Sequence, residues 1–353
     1  MEDVAVTGHG CSLAFCALLL LAAVEGCAFL MDTDLDGYGP AGGADASAGT
    51  GGGSAGSGGS SGVGGANVGG TSGTVGTGGN AGAGGTGSTT GTPCGNYSCG
   101  QLEECSNQQF CIANLVSIPG GYEIDATEVT RAQYEAWLAT SPSASEQLAY
   151  CAWNTNFAPL EACTSASACK GTGCGRQPQV CVDWCDARAY CKGVGKHLCG
   201  KIGGGANGYN DHANASLSQW FRACSANGQN KYPYGGTYQE EACNGVDNDA
   251  TGCTGGSSNC TGDCRCATVE VATLGGCASS VTGYDGIYDL SGNAFEWEDS
   301  CYGTADHDAC RARGGSFSDD SSSGYNSLRC AFDVGRYRDK PEPDLGFRCC
   351  SDP

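Results

Sequence analysis

Twenty-seven cysteines in 353 residues constrain this chain more than any other feature. Setting aside Cys11, Cys16 and Cys27 leaves twenty-four, an even number, all between Cys94 and Cys350. Thiols at that density are hazardous in a reducing cytosol, whereas an oxidising compartment turns them into disulfides. The chain is therefore expected to be exported and stapled. Helical periodicity points the same way, since only short stretches carry it. In TRAQYEAWLAT, Thr130 can cap a helix whose Tyr134, Trp137 and Leu138 share a face. A second helix is expected from about Val182, with Trp184, Ala187 and Tyr190 on one side. The rest is short apolar segments punctuated by Gly, Asn, Asp and Ser, which describes an irregular, loop-rich α+β domain.

The first hundred residues differ in kind. Ser12–Val24 is an apolar run too short to span a bilayer as a stable helix, and it leads to VEGC at Cys27. This arrangement resembles a bacterial lipoprotein signal, with cleavage before Cys27 and acylation of its thiol. Glu25 and the lack of Lys or Arg in residues 1–11 depart from that pattern. Ala28 after the acylated cysteine favours the outer membrane; a periplasmic or secreted location is the alternative. No charged residue lies between Ala46 and Leu102, a stretch of Gly, Ser, Thr and Ala that cannot bury enough apolar surface to offset its entropy. Residues 27–93 are thus expected to form a disordered tether. Within it, Asp32–Gly39 (DTDLDGYG) lacks the position-12 carboxylate of a calcium loop and reads as a solvated spacer.

Without residues 1–26 the chain holds seventeen basic and thirty-five acidic side chains, a formal charge of −18. No basic surface exists for phosphate backbones, so nucleic acid is excluded as a partner and any membrane contact runs through the lipid. Cys94, Cys99, Cys105 and Cys111 bound a module of residues 94–111 too small for a hydrophobic core, expected to hold two disulfides of unassigned pairing. A zinc site is the alternative, without CxxC knuckles or a nearby His to support it.

Six segments in order carry a family resemblance: YEIDATEVTRAQYEAWL (122–138), VCVDWCDARAYCKGVGKHL (180–198), YPYGG (232–236), GIYDLSGNAFEWEDSCY (286–302), RGGSF (313–317) and LGFRC (345–349). Together they resemble the formylglycine-generating enzyme, or sulfatase-modifying factor, family over essentially all of residues 115–350, so that residues 112–353 form one domain. The resemblance implies a variant C-type lectin fold. It also implies disulfides Cys191–Cys349 and Cys224–Cys330. GKHLCGKIGGG and the cysteine-rich segment 244–277 depart from the family pattern.

Calcium is the cofactor the resemblance implies. In SGNAFEW, Asn293 and Glu296 would supply side-chain oxygens and Gly292 and Ala294 carbonyls, the hard donors such a cation takes. A second site would begin at Asn244, with Asp247 and Asp249. The other reading is a self-satisfied turn and a solvated acidic loop. His197, His212 and His307 show no metal spacing, and no GxSxG elbow is present.

The segment after Gly314-Gly315-Ser316 decides the activity. Oxygen-using family members hold two copper(I)-binding cysteines there. The corresponding positions are Asp319 and, near the second, Gly324, and residues 314–329 contain no cysteine. Copper(I) requires soft thiolates, so copper is not expected. Ser316 and Trp297 match family cleft positions but cannot activate oxygen alone. The expected function is a binding or scaffold module whose cleft holds a peptide or glycan. The alternative is an oxidoreductase using Asp319, Asp320 and a hard metal.

Overall fold

The computed structural model describes residues 91–164, 174–248, 267–319 and 326–353. The expected signal segment, Cys27 and nearly all of the expected tether lie outside the described residues, as do Asp249, Asp320 and Gly324. Among the described residues no helix is long and apolar enough to cross a membrane.

Four short strands open the domain: β1 (Thr92–Cys94), β2 (Tyr97–Cys99), β3 (Glu103–Cys105) and β4 (Cys111–Ala113). β1 pairs with β2 and β3 with β4, and Cys94–Cys105 and Cys99–Cys111 lock the two hairpins together. The module is built against the larger fold. Gln133 Nε2 donates to Glu103, and buried Lys196 reaches both the Ala113 carbonyl and Asp125.

Two four-stranded sheets follow. One runs β5 (Leu115–Ile118), β6 (Tyr122–Asp125), β12 (Cys349–Ser351), β7 (His197–Leu198). The other runs β10 (Asp333–Tyr337), β9 (Ala309–Arg313), β8 (Phe295–Cys301), β11 (Leu345–Phe347), with β11 parallel to β8. Both predicted helices form. Helix α1 (Arg131–Leu138) starts at Thr130, whose hydroxyl and the Gln133 side chain make a reciprocal capping box. Helix α2 (Trp184–Gly193) starts two residues beyond Val182 because Asp183 caps it, again reciprocally with Asp186. A third, α3 (Gln219–Cys224), carries Trp220 and Phe221.

Two hydrophobic clusters make the core. Tyr134, Trp137, Trp184, Tyr190, Trp297 and Phe347 anchor the first, and Tyr122, Ile124, Trp220, Ile287 and Leu290 the second. Disulfides tie them together: Cys191–Cys349 and Cys224–Cys330 form as the resemblance implied. Beside the former, Cys199–Cys350 joins β7 to β12, and Cys151–Cys185, Cys163–Cys181, Cys243–Cys277 and Cys301–Cys310 staple the loops.

Candidate functional site

Strand β8, FEWEDSC, sends alternate side chains to opposite faces. Phe295 and Trp297 enter the first core cluster, while Glu296 and Glu298 are buried from the other face. A buried carboxylate must find a partner, and each finds an arginine. Arg348 Nε donates to Glu296 Oε2 and its Nη2 to Oε1, both at 2.7 Å, and Trp220 Nε1 adds a third bond at 2.8 Å. Glu298 accepts from Ser218 and Asn207 and lies 3.5 Å from Arg313 Nε.

Glu296 has two acidic neighbours that the sequence did not single out. Glu128, from DATEVT, is fully buried; its Oε1 accepts from Asn293 Nδ2 at 3.0 Å and no donor reaches Oε2, while the Asp289 carboxyl lies within hydrogen-bonding reach of the Glu128 side chain. Asp289 sits at φ +60 with Oδ2 accepting from Ala272 N at 2.6 Å. Burial pushes the Glu128 carboxyl well above the usual range, and the charge of Asp289 adds to it. Burial likewise raises Asp289 to about 6, against the pull of the Ala272 N–H and Arg348. Three carboxyls thus face one guanidinium, and the excess negative charge must be relieved by a proton or a cation.

The residues expected to hold calcium are brought together here, with one change of role. Asn293 Oδ1 already accepts from Asn244 Nδ2 (3.0 Å) and Val269 N (2.9 Å), so it is not the open donor that the motif suggested. Asn244 likewise spends its amide as a donor, to Ala267 O and Asn293. The pair braces the turn. Gly292 sits at φ +72, and a Cβ there would lie 2.3 Å from the Asn244 carbonyl oxygen, so only glycine allows this approach. Glu128, Asp289 and Glu296 are the acids crowded here, but their oxygens do not all come within 4.8 Å of one another, and Glu296 is taken up by Arg348 and Trp220, so they do not form a ready-made cation shell. Only Asp289 carried a sequence signal, as an acid between Tyr288 and Leu290; Glu128 lies between Thr127 and Val129 and carried none. At the second expected site, Asp247 accepts a hydrogen bond from Tyr238.

The thiol-free loop is the other site. Ser316 is fully buried, and its hydroxyl lies 2.9 Å from Asp319 Oδ2 and 3.2 Å from Asp344 Oδ2, with Ser318 Oγ at 2.8 Å. Asp319 Oδ2 also accepts from Ser316 N. Burial raises the Asp344 carboxyl, partly offset by Arg336. Trp297 lies in the core with its indole N–H on the Val182 carbonyl, so it braces β8 rather than joining Ser316. The histidines stay apart, each beside a different carboxylate: His197 by Asp352, His212 by Asp333, His307 by Asp339.

These features define a disulfide-stapled α+β domain organised around buried acid–arginine pairs, with a thiol-free loop after Gly-Gly-Ser. The sulfatase-modifying factor enzyme 1-like domain family matches residues 84–353, and the chain belongs to that family. It is 40% identical over 67 residues to the Bos taurus protein named inactive C-alpha-formylglycine-generating enzyme 2; that stretch covers 19% of this chain and 22% of the bovine one. Among solved structures it is similar to CarF (17% identity, TM-score 0.41, covering 69% of this chain and 95% of CarF). It is also similar to PvdO from Pseudomonas aeruginosa (16% identity, TM-score 0.42, covering 66% and 80%).

Proposed function

We propose that this chain is an exported member of the family without its copper-dependent oxidation. In this reading it serves the cell envelope as a binding or scaffold module for a peptide or glycan. One observation carries it. The loop after Ser316 offers carboxylates where the oxidase chemistry needs soft thiolates, and the nearest thiol, Cys330, is bridged to Cys224. The name of the bovine relative, which calls that protein inactive, agrees with it. Anchorage through acylated Cys27, in the outer membrane, belongs to the same proposal. Intact-mass measurement of membrane-bound protein tests it: a chain starting at Cys27 with acyl mass supports anchorage, and an unacylated chain in the medium rejects it.

The activity test is direct. Purified protein with Cu(I), oxygen and a Cys-x-Pro-x-Arg peptide should yield no formylglycine. Peptide oxidation that a copper chelator abolishes would overturn the proposal. A second reading, an oxidoreductase with a hard metal, draws on the convergence of Asp319 and Asp344 on one hydroxyl. Saturable binding of ferrous iron, lost in Asp319→Asn, would favour it.

Calcium beside the adjacent Glu128 and Asp289 carboxyls is a structural proposal. Bound there, the ion would neutralise the excess charge and hold the strand β8 turn to the Glu128 segment.

A further inference from the structure

The chain has five tryptophans, and four donate their indole N–H to a named acceptor: Trp153 to Tyr150 O, Trp184 to Glu298 O, Trp220 to Glu296 and Trp297 to Val182 O. Trp137 is 2% exposed, and its Nε1 donates to no group among the described residues. An indole N–H that meets no protein acceptor is free to donate to a bound molecule. This one lines a cavity of about 340 Å³ between α1, the 142–157 segment and α2. Gly193, on the same wall, keeps the space open, since a Cβ there would lie 2.4 Å from Trp137 Nε1.

We propose that this cavity binds a small aromatic carboxylate. Its floor is apolar: Trp137 and Phe157 pack with centroids 5.2 Å apart, and Leu148 and the Cys151–Cys185 bridge complete it. The volume suits one ring and a short arm. Three charged groups line the cavity: Glu146, Lys192 and Arg188. Lys192 pairs with Glu146 at 3.6 Å, which cancels the one acid against one base. Arg188 makes no direct hydrogen bond or ion pair among the described residues, although its charge acts on the Asp299 carboxyl and on Tyr150, so its guanidinium fork still has donors for a carboxylate. On a chain of net charge −21, Arg188 is the cavity-lining cation without a direct ion-pair partner, offset only at longer range by Asp299. The free indole N–H is a second donor for the same ligand.

The cavity stands apart from the Ser316 loop, none of whose residues line it. Its test is ¹⁵N NMR of the full chain titrated with phenylacetate, the Trp137 indole resonance being assigned by its loss in Trp137→Phe. That resonance should shift saturably while the other four indoles hold still. Phenethylamine and acetate should leave it in place. Arg188→Gln should weaken phenylacetate binding about tenfold, the loss of a charged hydrogen-bond partner, with Arg188→Lys intermediate. The four unshifted indoles report that each variant is folded. A stationary Trp137 signal, an equal response to the amine, or unchanged affinity in Arg188→Gln overturns the proposal.

Discussion

Arg348 meets Glu296 through two hydrogen bonds of 2.7 Å, and both residues are shut off from solvent. The motif GFRC and the motif GNAFEW thus complete one another: the parallel pairing of β11 with β8 sets Gly346 opposite Glu296, two residues before Arg348. Removing one partner leaves an uncompensated buried charge, which costs about 3–5 kcal/mol. Arg348→Met is expected to lose that much in urea unfolding of the oxidised protein. Arg348→Lys should recover little, because a point charge cannot also serve the Asp125 and Tyr288 carbonyls that the guanidinium reaches. A loss under about 1 kcal/mol for the methionine variant would show the pair to be dispensable.

The adjacent cysteines 349 and 350 give a second prediction. Their bridges to Cys191 and Cys199 close loops of 158 and 151 residues, but the two loops are nearly the same loop. With one bridge in place the other closes a ring of only about ten residues, worth about 2.5 kcal/mol in the chain-entropy account, against about 5 kcal/mol for a bridge acting alone. Cys191→Ser/Cys349→Ser and Cys199→Ser/Cys350→Ser should each be mild. Combining all four substitutions should cost more than the two pairs added together. Strict additivity in denaturant midpoints would reject this coupling.

What the sequence revealed follows the range of the interactions. The Thr130 cap was readable because a capping interaction closes within four residues; the Asp183–Asp186 box is equally local but was not singled out, and the helix was expected from about Val182. Cys191–Cys349 and Cys224–Cys330 came from family resemblance; nothing in their spacing names the partner. Cys199–Cys350 had no such guide, although β12 beside β7 makes it geometrically natural once Cys191–Cys349 is set. The need of Glu296 for a partner was legible from its aromatic flanks. That the partner is Arg348, with Glu128 and Asp289 crowded behind, depends on chain segments up to 220 residues apart, which only the fold brings together.

Stability should depend on pH through α2. Asp183 and Asp186 cap each other's backbone N–H groups, and Asn154 Nδ2 donates to Asp186 at 2.7 Å. Burial pushes Asp183 up to about 7 and Asp186 well above the usual carboxylate range, the latter also through the charge of Asp183. A carboxyl whose folded pKa exceeds its unfolded value stabilises below the unfolded pKa, and that contribution is lost as pH rises through the folded one. The denaturant midpoint should therefore be higher at pH 5 than at pH 8, and Asp186→Asn should flatten the difference while lowering both midpoints. A wild-type midpoint that rises toward pH 8 contradicts the assignment.

The last prediction separates proton from cation at the Glu128–Asp289–Glu296 cluster. If calcium relieves the excess charge, millimolar calcium should raise the melting temperature, and the rise should grow with the logarithm of its concentration once past the dissociation constant. Magnesium should do less, since it gives up its water reluctantly and demands a tighter octahedron than carboxyls and carbonyls on a turn provide. Glu128→Gln keeps an oxygen for Asn293 but removes a charge from the cation's shell, so it should abolish most of the calcium increment. Without calcium the same variant should be no less stable than the parent, because burial raises the Glu128 carboxyl and so favours the neutral form that glutamine resembles. The increment should also shrink at pH 5, where protons compete for the same oxygens. A melting temperature indifferent to calcium at pH 7.5 would assign the relief to the proton alone.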